Sequence, residues 1–88
     1  MLNILYFSAP WCGPCKALKP AIDKLELELD PGLVQISRIN IDENKVEAAA
    51  YNILSVPTLI FLKDENVVST ITGVKPIKDI KNIIDQWK

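Results

Sequence analysis

The only two cysteines of the chain, Cys12 and Cys15, stand in Trp11-Cys12-Gly13-Pro14-Cys15, directly after an apolar run and at the start of a helical pattern. Two thiols at that spacing can close a small disulfide or present a dithiol. A helix beginning between them points its unpaired backbone N–H groups at the first sulfur, a field that favours thiolate over thiol. Because the thiolate is the nucleophile of disulfide exchange, the segment reads as a redox pair rather than a staple. Gly13 and Pro14 set the geometry of the pair, and Pro14 fits the first helical turn, where its missing N–H costs nothing. Trp11 reads as part of a contact surface, since aromatic side chains are favoured at binding sites.

Composition narrows the remaining chemistry. Eighty-eight residues suit one domain spanning 1–88, near the lower end of sizes that fold unaided. With 49% hydrophobic residues the chain can form a core and is not of disordered composition. Ten basic against 11 acidic side chains leave a net charge of -1, with no basic stripe for a phosphate backbone, so nucleic acid is not an expected partner. Residues 2 to 7 are apolar apart from Asn3 but have no basic flank and are too short for a signal peptide or membrane span. A cytoplasmic location without membrane association is therefore expected, and in that compartment a lone cysteine pair is more often catalytic or metal-binding than structural. The absence of histidine removes Ser/His and Cys/His nucleophile systems and imidazole ligands. A zinc site would need carboxylates or a second chain to complete the two sulfurs.

The elements that must position the pair follow from the pattern. Residues 2 to 7 read as a buried central strand ended by Ser8-Ala9-Pro10. From Pro14 the period becomes helical, with Leu18, Ile22, Leu25 and Leu29 on one face, Ala17 and Ala21 packed beside them, Pro20 kinking the helix, and Asp30-Pro31-Gly32 ending it. Residues 34 to 41 read as a second strand, and Asp42 as the N-cap of a helix with Val46, Ala49, Ala50 and Ile53 on one face. Thr58 to Leu62 suggests a strand covered on both faces, joined by the polar turn Lys63-Asp64-Glu65-Asn66 to a hairpin partner over residues 67 to 72. Gly73 ends that strand, and Pro76 opens a last helix with Ile77, Ile80, Ile83, Ile84 and Trp87 on its buried side. Strands separated by helices pair in parallel and the closing hairpin is antiparallel. The expected fold is α/β, a mixed four-stranded sheet flanked by three helices on both faces, with the cysteines at the carboxyl end of the first strand, where open α/β sheets usually place a site.

Over essentially its whole length the sequence resembles the thioredoxin family. The resemblance is carried by Phe7, Trp11-Cys12-Gly13-Pro14-Cys15-Lys16, Pro20, Asn40-Ile41-Asp42, Val56-Pro57-Thr58 and Gly73, in the family's order and approximate spacing. It implies a dithiol-disulfide oxidoreductase reducing protein disulfides, with Cys12 as nucleophile and Cys15 as resolving thiol. It also implies a cis Pro57 against the pair, a Val56 backbone that pairs with an extended substrate segment, and Gly73 with Val74 lining the surrounding apolar patch. No bound cofactor or metal is implied. Electrons would come from a thioredoxin reductase or its equivalent, NADPH-dependent by analogy, and the chain would act as a monomer.

Two departures from the family stand out. Full-length members carry a helix and strand before the matching segment, so the expected fold is the minimal version, with residues 34 to 41 at a sheet edge whose polar positions limit further pairing. Tyr6, six residues before Cys12, stands where the family usually has a buried aspartate that handles the resolving thiol's proton. A phenol with an ordinary pKa of about 10 is no base near neutral pH. Arg38 stands where a lysine is common; its plain reading is a solvated edge residue, although its charge would favour a thiolate if it reached the pair. Two competing functions are a redox-independent binding subunit that clamps a partner around Trp11, Val56 and Gly73, and a glutaredoxin-like electron carrier.

Overall fold

The apolar run Leu2–Ser8 forms β1, the strand around which the rest is arranged. In the computed structural model, which describes Met1–Lys88, it is followed by α1 (Gly13–Glu28), β2 (Val34–Asn40), α2 (Lys45–Ala50), β3 (Thr58–Lys63), β4 (Asn66–Thr72) and α3 (Ile77–Trp87). The sheet order is β2-β1-β3-β4, so β1 and β3 are central. β1 and β2 run parallel through the α1 crossover, whereas β1/β3 and β3/β4 are antiparallel. The mixed sheet with β2 at one edge is as expected, but the parallel rule holds only for β1 and β2: β3, although it follows α2, lies beside β1 and runs antiparallel to it.

Both central strands are apolar apart from Asn3, Ser8, Thr58 and Lys63, because side chains alternate between faces and both faces are covered. Leu2, Ile4, Tyr6, Leu59 and Phe61 point to one side, where they meet Leu18, Ile22 and Leu25 of α1 and Ile80 and Ile84 of α3. Leu5, Phe7, Ile60 and Leu62 point to the other and pack with Ile39 against the segment around α2. The sheet thus separates two cores of 12 and 5 buried residues. The larger lies under two helices and the smaller under one short one.

α1 runs unbroken through Pro20, and its buried residues are Cys15, Leu18, Ile22 and Leu25. Ala21 and Leu29 pack beside them as expected, but Ala17 is exposed. The larger correction concerns α2. It begins at Lys45 with Asn44 as N-cap, not after Asp42, and it ends before Ile53. Val46, Ala49 and Ala50 face solvent, Val46 at 86% exposure, while Ala48 and Tyr51, with Ile41 and Ile53 from the flanking loops, cover the smaller core. Asp42 sits in a turn held by its own N–H donating to Asn40 Oδ1 at 2.8 Å. An Asx-type turn at the end of β2 takes up the residues that would have made the helix's first turn.

Candidate active site

β1 and the start of α1 place the two cysteines together at the carboxyl end of the central strand. Cys12 is the N-cap of α1 in an extended conformation (φ -86°, ψ 108°). An N-cap normally offers an oxygen to the orphan N–H groups of the first turn; here the acceptor is sulfur, and the Cys15 N–H donates to Cys12 Sγ at 3.1 Å. The same N–H and the helix dipole stabilise negative charge on that sulfur when the bond is open. In the structure Cys12 and Cys15 are joined in a disulfide, with Cα atoms 5.3 Å apart. Both cysteines are 4% exposed, so burial does not distinguish them; their place on the helix does. Ala9 completes this small cluster, with Ile41 and Val56 packed against it.

The Val56–Pro57 peptide bond is cis, and the Val56 carbonyl oxygen lies 3.6 Å from Cys12 Sγ. Pro57 is fully buried, and its carbonyl accepts from the Gly73 N–H at 2.8 Å. That bond ties the end of β4 to the proline loop. Gly73 has φ +84°, a conformation that a Cβ disfavours, and Val74 after it is half exposed. Trp11 is 66% exposed, and its indole Nε1–H donates to Asp42 Oδ2 at 3.0 Å. Asp42 therefore belongs to the site as an anchor for Trp11. Sequence reasoning gives it only a capping role; the signal that could have found it is an acidic side chain at the carboxyl end of β2, on the same sheet edge as the cysteines.

Tyr6 and Arg38 face each other across β1 and β2 beneath α1. The Tyr6 hydroxyl donates to the Cys15 carbonyl oxygen at 3.2 Å. Burial pushes the phenol above its ordinary value, partly offset by the nearby Arg38 charge, so Tyr6 is a hydrogen-bond donor and no base. Arg38 does not present a free charge to the pair: Nη1 lies 2.7 Å from Asp23 Oδ1 and Nη2 lies 2.9 Å from Glu26 Oε1, both on α1. Burial pulls its guanidinium down and these two bonds more than restore it. Asp23 is held below the usual carboxylate range, first by Lys19 and then by Arg38. No three His, Cys, Asp or Glu side chains come together as a set of metal ligands.

The thioredoxin family model matches residues 1–86. Thioredoxin of Bacillus subtilis is 41% identical over 80 residues, covering 91% of this chain and 76% of that protein. Thioredoxin of Chlamydia pneumoniae is 42% identical over 85 residues, covering 97% and 81%. Among solved structures, a single-site mutant of thioredoxin from Halobacterium salinarum superposes with a TM-score of 0.89 at 31% identity, covering 98% of this chain and 74% of the other. Fasciola hepatica thioredoxin also gives 0.89 at 31% identity, over 99% and 81%. The chain belongs to the thioredoxin family, and with its Cys12–Cys15 pair it is a dithiol-disulfide oxidoreductase. Members of that family carry electrons in the thiols rather than in a bound cofactor, and work between protein substrates and a reductase.

Proposed function

We propose that this chain reduces protein disulfides with Cys12 as the attacking thiolate and Cys15 as the resolving thiol. The observation that carries the assignment is the Cys15 N–H aimed at Cys12 Sγ from the first turn of α1 at 3.1 Å. Cys12 thiolate attacks one sulfur of the substrate disulfide, forming a mixed disulfide and expelling the other substrate sulfur as a thiolate. Cys15 loses its proton and attacks Cys12 Sγ, closing the Cys12–Cys15 disulfide and releasing the second substrate sulfur as a thiolate. The substrate gains two electrons and the protein loses two.

Trp11, Val56, Pro57, Gly73 and Val74 form the substrate surface, with Gly13 and Pro14 shaping the pair between them. The Val56 main chain reads an extended segment without regard to its side chains, which suits varied substrates. The chain acts as a single-domain cytoplasmic monomer, and an NADPH-dependent thioredoxin reductase returns the pair to the dithiol.

The test is insulin reduction coupled to NADPH and thioredoxin reductase. Cys12→Ser abolishes turnover and forms no mixed disulfide. Cys15→Ser also abolishes turnover but accumulates a covalent complex through Cys12. A covalent complex formed through Cys15 in Cys12→Ser, with none in Cys15→Ser, would reverse the roles. Turnover surviving the double substitution would remove the redox account.

A further inference from the structure

Cys15 also lines a cleft of about 270 Å3 that the steps above do not use. Tyr6 and Ser8 of β1, two residues apart and so on the same face of the strand, form one wall; Lys16 and Lys19 of α1 and Arg38 of β2 form the others. The charged and titratable groups around Cys15 are thus a phenol, two ammonium groups and a guanidinium, together with Cys12 itself. No carboxylate lines the cleft. Two acids pair with the lining cations, Asp23 with Arg38 at 2.7 Å and Lys19 at 3.0 Å, and Glu26 with Arg38 at 2.9 Å, while, beside Asn40, Glu43 accepts from the Asn40 amide at 3.5 Å and Asp42 from the Trp11 indole at 3.0 Å. Lys16 makes no ion pair, so the three cations that line the cleft outnumber the two carboxylates that pair with them.

Resolution requires Cys15 to shed a proton while buried, and none of these walls is a base at neutral pH. The cleft is large and polar enough for several water molecules. Ser8 is half-buried and makes no side-chain hydrogen bond, so its hydroxyl is free to hold one. We propose that the Cys15 proton leaves to water in this cleft, with Ser8 keeping the passage open as a positioning residue and Lys16 and Lys19 favouring the thiolate as it forms. The inference rests on the oxidoreductase reading. The Cys15 S–H bond breaks to water, the thiolate attacks Cys12 Sγ, the Cys12–substrate S–S bond breaks, and the departing substrate thiolate takes a proton from solvent.

The test follows the reduced protein against 5,5′-dithiobis(2-nitrobenzoate) by stopped flow. The first equivalent of coloured thiolate reports attack by Cys12, and the second reports attack by Cys15 on the mixed disulfide. Ser8→Val and Ser8→Phe fill the cleft by increasing volume, and the second phase slows in that order, by about tenfold for Phe at neutral pH, while the first phase keeps its rate. Lys16→Gln combined with Lys19→Gln leaves the space open and moves the pH midpoint of the second phase upward. A second phase whose rate and midpoint are unmoved in the Ser8 variants and in the lysine double variant overturns the proposal. Loss of the first phase in the unsubstituted protein instead overturns the oxidoreductase reading. If Ser8→Phe fails to fold, Ser8→Val and the lysine variant carry the same decision.

Discussion

The Tyr6 hydroxyl, on a residue only 3% exposed, donates to the carbonyl oxygen of the resolving cysteine and thereby pins the first turn of α1 to the central strand. Removing a buried donor of this kind costs roughly 0.5–1.5 kcal/mol net, so Tyr6→Phe should lower stability in urea by that amount at pH 7. The pH dependence has a definite sign. Burial raises the folded-state pKa above the unfolded value of about 10, so the contribution is complete below pH 10 and is lost as pH rises through the folded value. The stability gap between the native sequence and Tyr6→Phe should therefore narrow in urea titrations repeated above pH 10; a constant gap would show that burial in the fold does not raise the phenol's pKa. At this scale the cysteines, Trp11 and Pro57 were legible because their motifs are contiguous. The Arg38–Glu26 and Trp11–Asp42 bonds were not, because they join residues 12 and 31 positions apart, where no local pattern records the meeting.

At the scale of elements, sequence periodicity read long apolar segments well and the short helix poorly. α1 and the strands carry enough repeats for the buried face to be unambiguous. α2 has six residues, too few for one apolar Val46 to declare which side is covered, and the deciding contacts come from Ala48 and from Tyr51 just beyond the helix. The β3–β4 hairpin shows the converse, a turn correctly located whose chemistry is poor. Asp64 and Glu65 both take left-handed φ, 51° and 72°, as a two-residue hairpin loop demands, yet neither is glycine. A non-glycine residue there costs about 1–2 kcal/mol, offset in part by the greater freedom glycine has when unfolded. Glu65→Gly should therefore stabilise the fold by roughly 0.5–1 kcal/mol, raising the calorimetric midpoint by several degrees. Asp64 is left in place because it lies 3.6 Å from the amino terminus. A fall in the midpoint would mean that the Glu65 side chain supplies more than its backbone costs.

For the molecule as a whole, the unequal division of the core joins stability to function. The 12-residue cluster is shared by four strands and two helices, whereas the 5-residue cluster is closed by a helix with no buried residue of its own. Among the partly buried residues that close that side is Tyr51, whose ring stands 6.0 Å from that of the fully buried Phe7 at 53°, a tilted aromatic pair. A region with few buried contacts opens without global unfolding. The amides of α2 should accordingly exchange with solvent hydrogen through a local opening, while those of β1 and β3 wait for the whole fold to open. Tyr51→Ala should widen this difference, lowering protection across residues 45–53 by the roughly 0.5–1.5 kcal/mol of the aromatic pair plus the apolar area lost. Because Asp42 and Val56 flank this segment and hold Trp11 and the surface beside Cys12, the same substitution should weaken capture of substrate while the thiol chemistry itself stays intact. Kinetics with insulin would then show a raised KM, and the reaction of Cys12 with a small disulfide would be unchanged. If α2 exchanges only with β1 and β3, before and after the substitution, the two cores form one cooperative unit and the division has no dynamic consequence.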